Sequence, residues 1–417
     1  MSPGSTPSPS AACAYSVTES PSWRRWVTPR AARDKPIHRW HLFAHSFTSD
    51  LVHALVDEWR LDGRDALLDP FAGAGTTLLA AKEKGVPASG YDLSPLAVLI
   101  SNVKTETLSR TRLESIWRTL DDSSSHARPS VIARDYPVLV QRALPNGRLE
   151  AFEALAARIR GLDCTSSERD FFRLALISII PRFSHAVANG GWLRWTKEGI
   201  DGGSVEEAFK ARAEMMLADV QEGEPSSVGD GWTTRKADAR TLPDRNDTYT
   251  AVITSPPYPN RHDYTRVFGV ELMFDFLNWE ENRSLRHQSF HSHPEARPER
   301  PAAEEYVPPA GLNESIKHLK DVRIRRMLRG YFLDMYLCLR EVVRVCRRGA
   351  RVALVVGNAR YDGKALLVDE FTAELGERAG LACSEIRAVR WRGNSAQQMG
   401  RYGRAASRES VVIFESR

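Results

Sequence analysis

The chain has 417 residues, 42% hydrophobic and 27% charged, with a formal net charge of +5 and a mean hydropathy of −0.39. That is apolar material for one large or two modest domains, with no run long enough to cross a bilayer, so no membrane association is expected and a cytoplasmic location is. Cys13, Cys164, Cys338, Cys346 and Cys383 are scattered without Cys-x-x-Cys spacing, which argues against a zinc site and a disulfide framework, and the mildly basic balance is compatible with a nucleic-acid partner.

Residues 1–35 begin rich in Ser, Pro and Ala and continue with Trp23, Arg24, Arg25, Trp26, Arg30 and Arg33. They lack the charged start and apolar block of a signal peptide and read as a disordered basic leader. His38 and His41 then lead to a helix with Leu51, Leu55 and Val56 on its apolar face and Ser49 or Asp50 as its cap. His38, His41 and His45 have no acidic partner nearby in sequence, so no metal is expected.

The apolar run Ala66-Leu67-Leu68 enters Asp69-Pro70-Phe71-Ala72-Gly73-Ala74-Gly75-Thr76-Thr77. This reads as a strand, an acid, a glycine turn and a helix starting at Thr76 or Thr77. Gly73 and Gly75 permit positive φ and close approach of a ligand to the backbone, and the helix start offers free N–H groups. No Gly-Lys-Ser/Thr follows, so a nucleotide P-loop is not expected. A second strand ends in Asp92, the place where Rossmann-like units put the acid that bonds ribose hydroxyls, a role favoured here over that of a turn aspartate. Leu93 follows it, placed to touch an adenine ring, and Pro95 opens the next helix.

Residues 105–231 interrupt the alternation and are mostly helical in pattern. Residues 171–180 read as a buried helix that Pro181 ends or kinks. His185, Asn189, Gly190, Gly191, Trp192, Arg194 and Trp195 form a polar, glycine-rich aromatic patch suited either to packing or to contact with DNA. The core resumes with the Asp238-Ala239-Arg240 turn and the strand 249–253. Thr254-Ser255-Pro256-Pro257-Tyr258 follows, a rigid extended turn that offers a hydroxyl, carbonyl acceptors and an aromatic ring. Those are parts for holding a flat base with an exocyclic amine.

A helix at 270–274 precedes a second interruption, residues 282–322, which reads as a long loop; its His287, His291 and His293 have no regular metal spacing. A helix over 331–345, a strand over 350–358, a helix over 367–380 and strands over 384–391 and 410–415 complete the chain. Between the last two strands lies a basic, glycine-rich loop with Arg392, Asn394, Arg401 and Arg404, suited to phosphates and base edges.

The glycine turn at Asp69 and the Ser-Pro-Pro-Tyr turn at Ser255 together resemble the amino-group DNA methyltransferases, which transfer a methyl from S-adenosylmethionine (SAM) to cytosine N4 or adenine N6. The likeness extends through neighbouring segments over roughly half of the chain. It implies a Rossmann-like class I SAM-dependent methyltransferase fold with helical insertions. The first turn matches the SAM-binding motif, so Asp69, Phe71, Gly73, Gly75 and Thr76 are expected at the co-substrate with Asp92 and Leu93. Asp238 and Ala239 resemble the motif that holds adenine, and Phe47 stands where a segment closes over the methionine end. Ser255, Pro256, Pro257 and Tyr258 match the catalytic motif, with Tyr258 stacking on a flipped base.

Serine at the head of that motif resembles the cytosine-N4 group, so N4-cytosine methylation of double-stranded DNA is the expectation. Adenine-N6 methylation, an RNA amino-methyltransferase and a non-catalytic DNA-binding partner are the alternatives. A cognate restriction or defence nuclease is a conceivable partner. The expected organisation is a leader (1–35), a first catalytic part (36–104), a helical insertion (105–231) and a second catalytic part (232–417) carrying the loop 282–322. No room is left for recognition at the C-terminus, so the two interruptions are the candidate recognition regions.

Overall fold

A computed structural model describes residues 15–43, 46–122, 135–196, 200, 202–220, 231–392 and 407–417. In chain order its strands are β1 (Val17–Glu19), β2 (Leu67–Asp69), β3 (Ala88–Asp92), β4 (Ala186–Asn189), β5 (Trp192–Trp195) and β6 (Trp232–Lys236). They continue with β7 (Tyr249–Thr254), β8 (Cys346–Gly357), β9 (Ala359–Tyr361), β10 (Lys364–Leu366), β11 (Leu381–Arg392) and β12 (Ser407–Ser416). Eight of them form one sheet in the order β1-β11-β12-β8-β7-β2-β3-β6, while β4–β5 and β9–β10 are separate hairpins. Strands β6, β3, β2, β7 and β8 pair in parallel, and β12 runs antiparallel to both β8 and β11. This is the Rossmann-like sheet expected of a class I methyltransferase, ended by the antiparallel pair anticipated from the last two apolar runs.

The parallel strands are apolar at successive positions because helices cover both faces of the sheet. Alternation within each strand divides the core. Leu68, Val252, Val352 and Leu354 pack on one face with the helices Val322–Val345 and Val368–Ala379. Leu67, Ala251, Ile253 and Ala353 pack on the other with the helices Ser49–Trp59 and Thr76–Glu83. The chain runs outward from β2 through β3 to β6 and then returns to the opposite side of β2 as β7. That reversal opens a crevice at the carboxyl ends of β2 and β7, where ligands bind in such sheets.

The first interruption builds a second core, shared with the helices Pro95–Thr105 and Gly269–Asp275. The helices Arg110–Asp121, Val138–Ala143, Arg148–Arg160, Ser166–Phe183 and Val205–Asp219 pack around Phe152, Phe171, Phe172 and Phe183. Pro181 lies in the last turn of Ser166–Phe183. The polar, glycine-rich patch is the β4–β5 hairpin, turned at Gly190-Gly191.

Three expectations need correction. Within the presumed disordered leader, β1 pairs in parallel with β11, and Val27 and Ala32 are buried. The Arg387 guanidinium lies 4.9 Å over the Trp23 ring. The aromatic residues there find apolar partners on the sheet flank, which composition cannot reveal. The cap of Ser49–Trp59 is Thr48, and Asp50 instead accepts from Lys35 Nζ at 2.7 Å. The supposed long loop 282–322 opens inside the helix Trp279–Gln288, contains the helix Leu312–Ile316 and closes on a helix that starts at Val322 rather than 331. Capping explains the two longer ones: Asn278 and Glu281 form a capping box, and the Asp321 carboxylate accepts from Arg323 N at 2.9 Å. The arginines in the first turns of the latter helix mask its apolar period.

That second insertion is pinned to the core by one carboxylate. Asp334, fully buried on Val322–Val345, accepts from His291 N at 2.9 Å, Arg300 Nε at 2.7 Å and Arg240 Nη1 at 3.1 Å, with His291 Nδ1 at 2.8 Å. Gly330 makes room for the histidine, since a Cβ there would stand 2.4 Å from His291 Cδ2. Burial pushes the Asp334 carboxyl up, but the His291 hydrogen bond and the two guanidiniums outweigh it and hold it down to about 2.

Asp334→Ala is expected to cost about 1–3 kcal/mol in denaturant unfolding, because it removes the buried acceptor that Arg240, Arg300 and the His291 N–H share. The folded carboxyl titrates below its unfolded value of about 3.9, so its contribution is present above that pH and is lost as pH falls toward about 2. The gap between wild type and variant should therefore be full at pH ~6 and narrow below pH ~4; equal stabilities at pH ~6 would disprove the pin.

Candidate functional site

The crevice between β2 and β7 is closed at its base by a buried tie. Thr254, at the end of β7, donates its hydroxyl to Asp69 Oδ1 at 2.5 Å, and Phe71 N donates to the same oxygen at 3.1 Å. Thr77, in the first turn of Thr76–Glu83, donates to the Ile253 carbonyl at 3.2 Å. The two turns singled out in the sequence are thus bonded to each other twice. Burial raises the Asp69 carboxyl to about 6 against the opposing pull of its hydrogen bonds.

The glycine turn adopts the conformations its residues permit. Gly73 and Gly75 have φ of +49° and +73°, and a Cβ on Gly75 would stand 2.7 Å from the Ser101 backbone. Gly75 therefore serves the packing of the turn on the helix Pro95–Thr105 and does not line the cavity. Gly73 N donates to Asp92 Oδ2 at 3.0 Å, and Ser94 N donates to Oδ1 at 2.9 Å. Asp92 so clamps the glycine turn before any ligand is bound. Burial pushes its carboxyl up while these N–H groups draw it down.

A cavity of about 170 Å³ opens on these elements. Asp69, Phe71, Gly73 and Thr76 reach it from the first turn, and Asp92 and Leu93 from the end of β3. Asp238 and Ala239 line it after β6, Ser255 and Pro257 after β7, and Phe47 from the segment before Ser49–Trp59. The residue types fit SAM: an acid for ribose hydroxyls, apolar Leu93, Phe71 and Ala239 for a purine, and a helix start for a carboxylate.

Not every expected residue faces the cavity. Pro256 and Tyr258 do not line it. Tyr258 is only 8% exposed; its hydroxyl donates to Glu409 Oε1 at 3.1 Å, and its ring lies so close to Gly357 that a Cβ there would stand 2.9 Å from Cε2. The tyrosine braces the turn against β12 and β8. The tyrosine that does line the cavity is Tyr264. Ser255 Oγ donates to the Val355 carbonyl at 3.1 Å, which leaves its lone pairs toward other donors. Asp238 lines the cavity but is already gripped by Arg240, through Nε at 2.9 Å and Nη2 at 2.6 Å. Arg392 ends β11, while Asn394, Arg401 and Arg404 lie outside the described residues, as does His45.

Sequence reasoning missed much of the roof. Phe43 stacks on Phe268 with centroids 4.4 Å apart, and both line the cavity. Phe290, from the second insertion, meets Phe71 edge-on at 5.7 Å and lines it too. The segment carrying Phe43 is held by Lys104, which is buried and donates to the carbonyls of His38 at 3.1 Å, His41 at 2.7 Å and Ala74 at 3.0 Å. Burial pulls its ammonium down to about 7. A lysine within an apolar helix gives no sign in sequence of this use. His38 Nε2 lies 3.2 Å from Glu83, and burial pushes His41 down to about 3. Among the described residues no group of three or more His, Cys, Asp or Glu is arranged to hold a metal.

No family model matches the chain. It is similar to the type II methyltransferase M.BsoBI of Geobacillus stearothermophilus, 27% identical over 449 residues, covering 94% of this chain and 88% of that protein. The type II methyltransferase M.AvaI of Anabaena variabilis is 28% identical over 430 residues, with 94% and 89% covered. M.MjaII of Methanocaldococcus jannaschii, also a type II methyltransferase, matches 20% of the chain at 33% identity over 84 residues. Similarity across nearly the whole chain, with a cavity built on the glycine turn and Asp92, supports a methyltransferase with SAM as its co-substrate.

Asp92→Ala should weaken SAM binding at least tenfold by isothermal titration, since hydrogen bonds to a charged group are worth about 1.5–3 kcal/mol each. Part of the loss will come from the freed Gly73 and Ser94 N–H groups. Unaltered affinity in a folded variant would remove Asp92 from the site.

Proposed function

We propose that this chain, a SAM-dependent methyltransferase similar to type II enzymes along nearly all its length, methylates the exocyclic N4 of cytosine in double-stranded DNA. The observation that carries the reading is that Ser255 and Pro257 open into the same cavity as Gly73 and Asp92. A target amine placed at Ser255 would lie beside the co-substrate that the glycine turn and Asp92 hold.

SAM supplies an activated methyl on sulfur, and the task left to the chain is to make a poor nucleophile competent. The lone pair of an exocyclic amine is delocalised into its ring. Ser255 Oγ, oriented by its bond to the Val355 carbonyl, can accept an amine hydrogen and favour the lone pair on nitrogen. Serine at the head of the motif resembles the cytosine-N4 group, and this supports cytosine over adenine. Tyr264 offers the base an aromatic face, and Tyr258 keeps the turn in place through Glu409. No cysteine lines the cavity among the described residues, and burial raises the thiols of Cys338 and Cys346. A covalent route through cysteine, as C5 methylation requires, has no support here. The type II relatives support a DNA substrate, and the proposal includes duplex DNA, a cognate restriction or defence nuclease and a cytoplasmic location.

Nucleosides from duplex DNA treated with enzyme and labelled SAM should carry the label in N4-methylcytosine by mass spectrometry. Label in N6-methyladenine would overturn the base assignment and keep the mechanism; label only with RNA would overturn the substrate class. Ser255→Ala should lower turnover roughly 10²-fold, as for loss of one preorganised polar group, with SAM affinity unchanged.

A further inference from the structure

The β4–β5 hairpin is a surface feature that the proposed chemistry does not use. Trp192 and Trp195 are 47% and 44% exposed, although side chains of this size are usually covered. Strand alternation separates their roles. Leu193 and Trp195 share one face of β5. Leu193 packs against the core of the first insertion, and the Arg142 guanidinium lies 4.7 Å over the Trp195 ring. Trp192 and Arg194 share the other face, and both are exposed.

The hairpin is seated beside the catalytic turn. Its Gly191 backbone is so close to the loop after Tyr258 that a Cβ there would stand 2.5 Å from the Arg261 carbonyl and 2.9 Å from His262 Cα. The next residues form the short helix Tyr264–Val267, which begins with the tyrosine that lines the cavity. The hairpin that carries this exposed indole is therefore seated on the loop that leads from the catalytic turn to the cavity-lining Tyr264. The surroundings favour a polyanion. Residues 184–196 contain no Asp or Glu, Arg142, Arg194 and Arg261 are exposed, and none of these three arginines has a carboxylate within ion-pair distance among the described residues.

We propose that the β4–β5 hairpin is a DNA-binding element in which Trp192 stacks on a base of the target duplex beside the extruded nucleotide and Arg194 meets the neighbouring phosphates. This deepens the DNA methyltransferase reading and rests on it. A base leaving the stack exposes the faces of its neighbours, and an aromatic ring at the rim of the pocket recovers part of the lost stacking. The glycine turn allows the close seating on the catalytic loop, which fixes the distance between indole and cavity.

The test is steady-state methylation of unmethylated plasmid DNA by the full chain, with labelled SAM. Trp192→Ala should lower kcat/KM for DNA roughly five- to hundredfold, the range of base–aromatic stacking, and leave KM for SAM unchanged. Trp192→Phe should restore most of the loss, which a merely structural tryptophan on an exposed face would not require. Arg194→Ala should reduce the slope of log affinity against log salt by about one unit. A Trp192→Ala enzyme within about twofold of wild type on DNA, while wild type methylates the plasmid, would overturn the hairpin proposal alone. A wild type that labels no DNA would overturn the reading beneath it, and the hairpin proposal with it.

Discussion

The hydrogen bond between Thr254 and Asp69 is the constraint on which the site depends. It joins the ends of two neighbouring parallel strands at the place where the sheet reverses its direction of growth. One side of the tie leads into the glycine turn and the other into the Ser-Pro-Pro-Tyr turn. With both residues buried, the bond lies in a low-dielectric setting and is not shared with water. The bond from Thr77 to Ile253 repeats the connection in the first turn of the helix. The two turns are thereby held at a fixed separation, as transfer between two bound partners requires.

Around this fixed base the walls come from elsewhere in the chain. Lys104 gathers three carbonyls, two from the segment that carries Phe43 and one from the glycine turn, so that the aromatic roof and the turn are positioned by a single ammonium. Asp334 does the corresponding work on the other side. It gathers Arg240, Arg300 and His291, and through Arg240 it reaches Asp238 at the cavity. Phe290, next to His291, is placed against Phe71 by the same anchor. Both are buried ions satisfied by several partners, the arrangement in which a charge can be kept in an interior. They serve geometry more than net stability.

The insertions share one logic. Each has its own local stabilisation, an aromatic core in the first and capped helices with a buried carboxylate in the second, and the second lends Leu285, Ser289 and Phe290 to the cavity. The sheet positions the two turns that line the cavity, while the insertions add surface around them. An exposed, carboxylate-free hairpin seated on the catalytic loop belongs with those surfaces.

Much of this was determined by the sequence itself. Short continuous apolar runs at Leu67-Leu68 and before Thr254, glycines where positive φ is needed and an acid at the end of β3 are local properties, and local properties are legible in one dimension. The partners of those residues are not. That Tyr258 turns toward Glu409 while Tyr264 takes the cavity depends on a strand 151 residues away, and periodicity carries no record of it. The leader's tryptophans read as a basic tail because their packing partners lie on β11 and its flank, and the helix from Val322 hid behind arginines that face solvent. Lys104 and Asp334 showed no signal at all, because the value of a buried charge lies wholly in the groups that surround it, and only the folded chain brings those groups together.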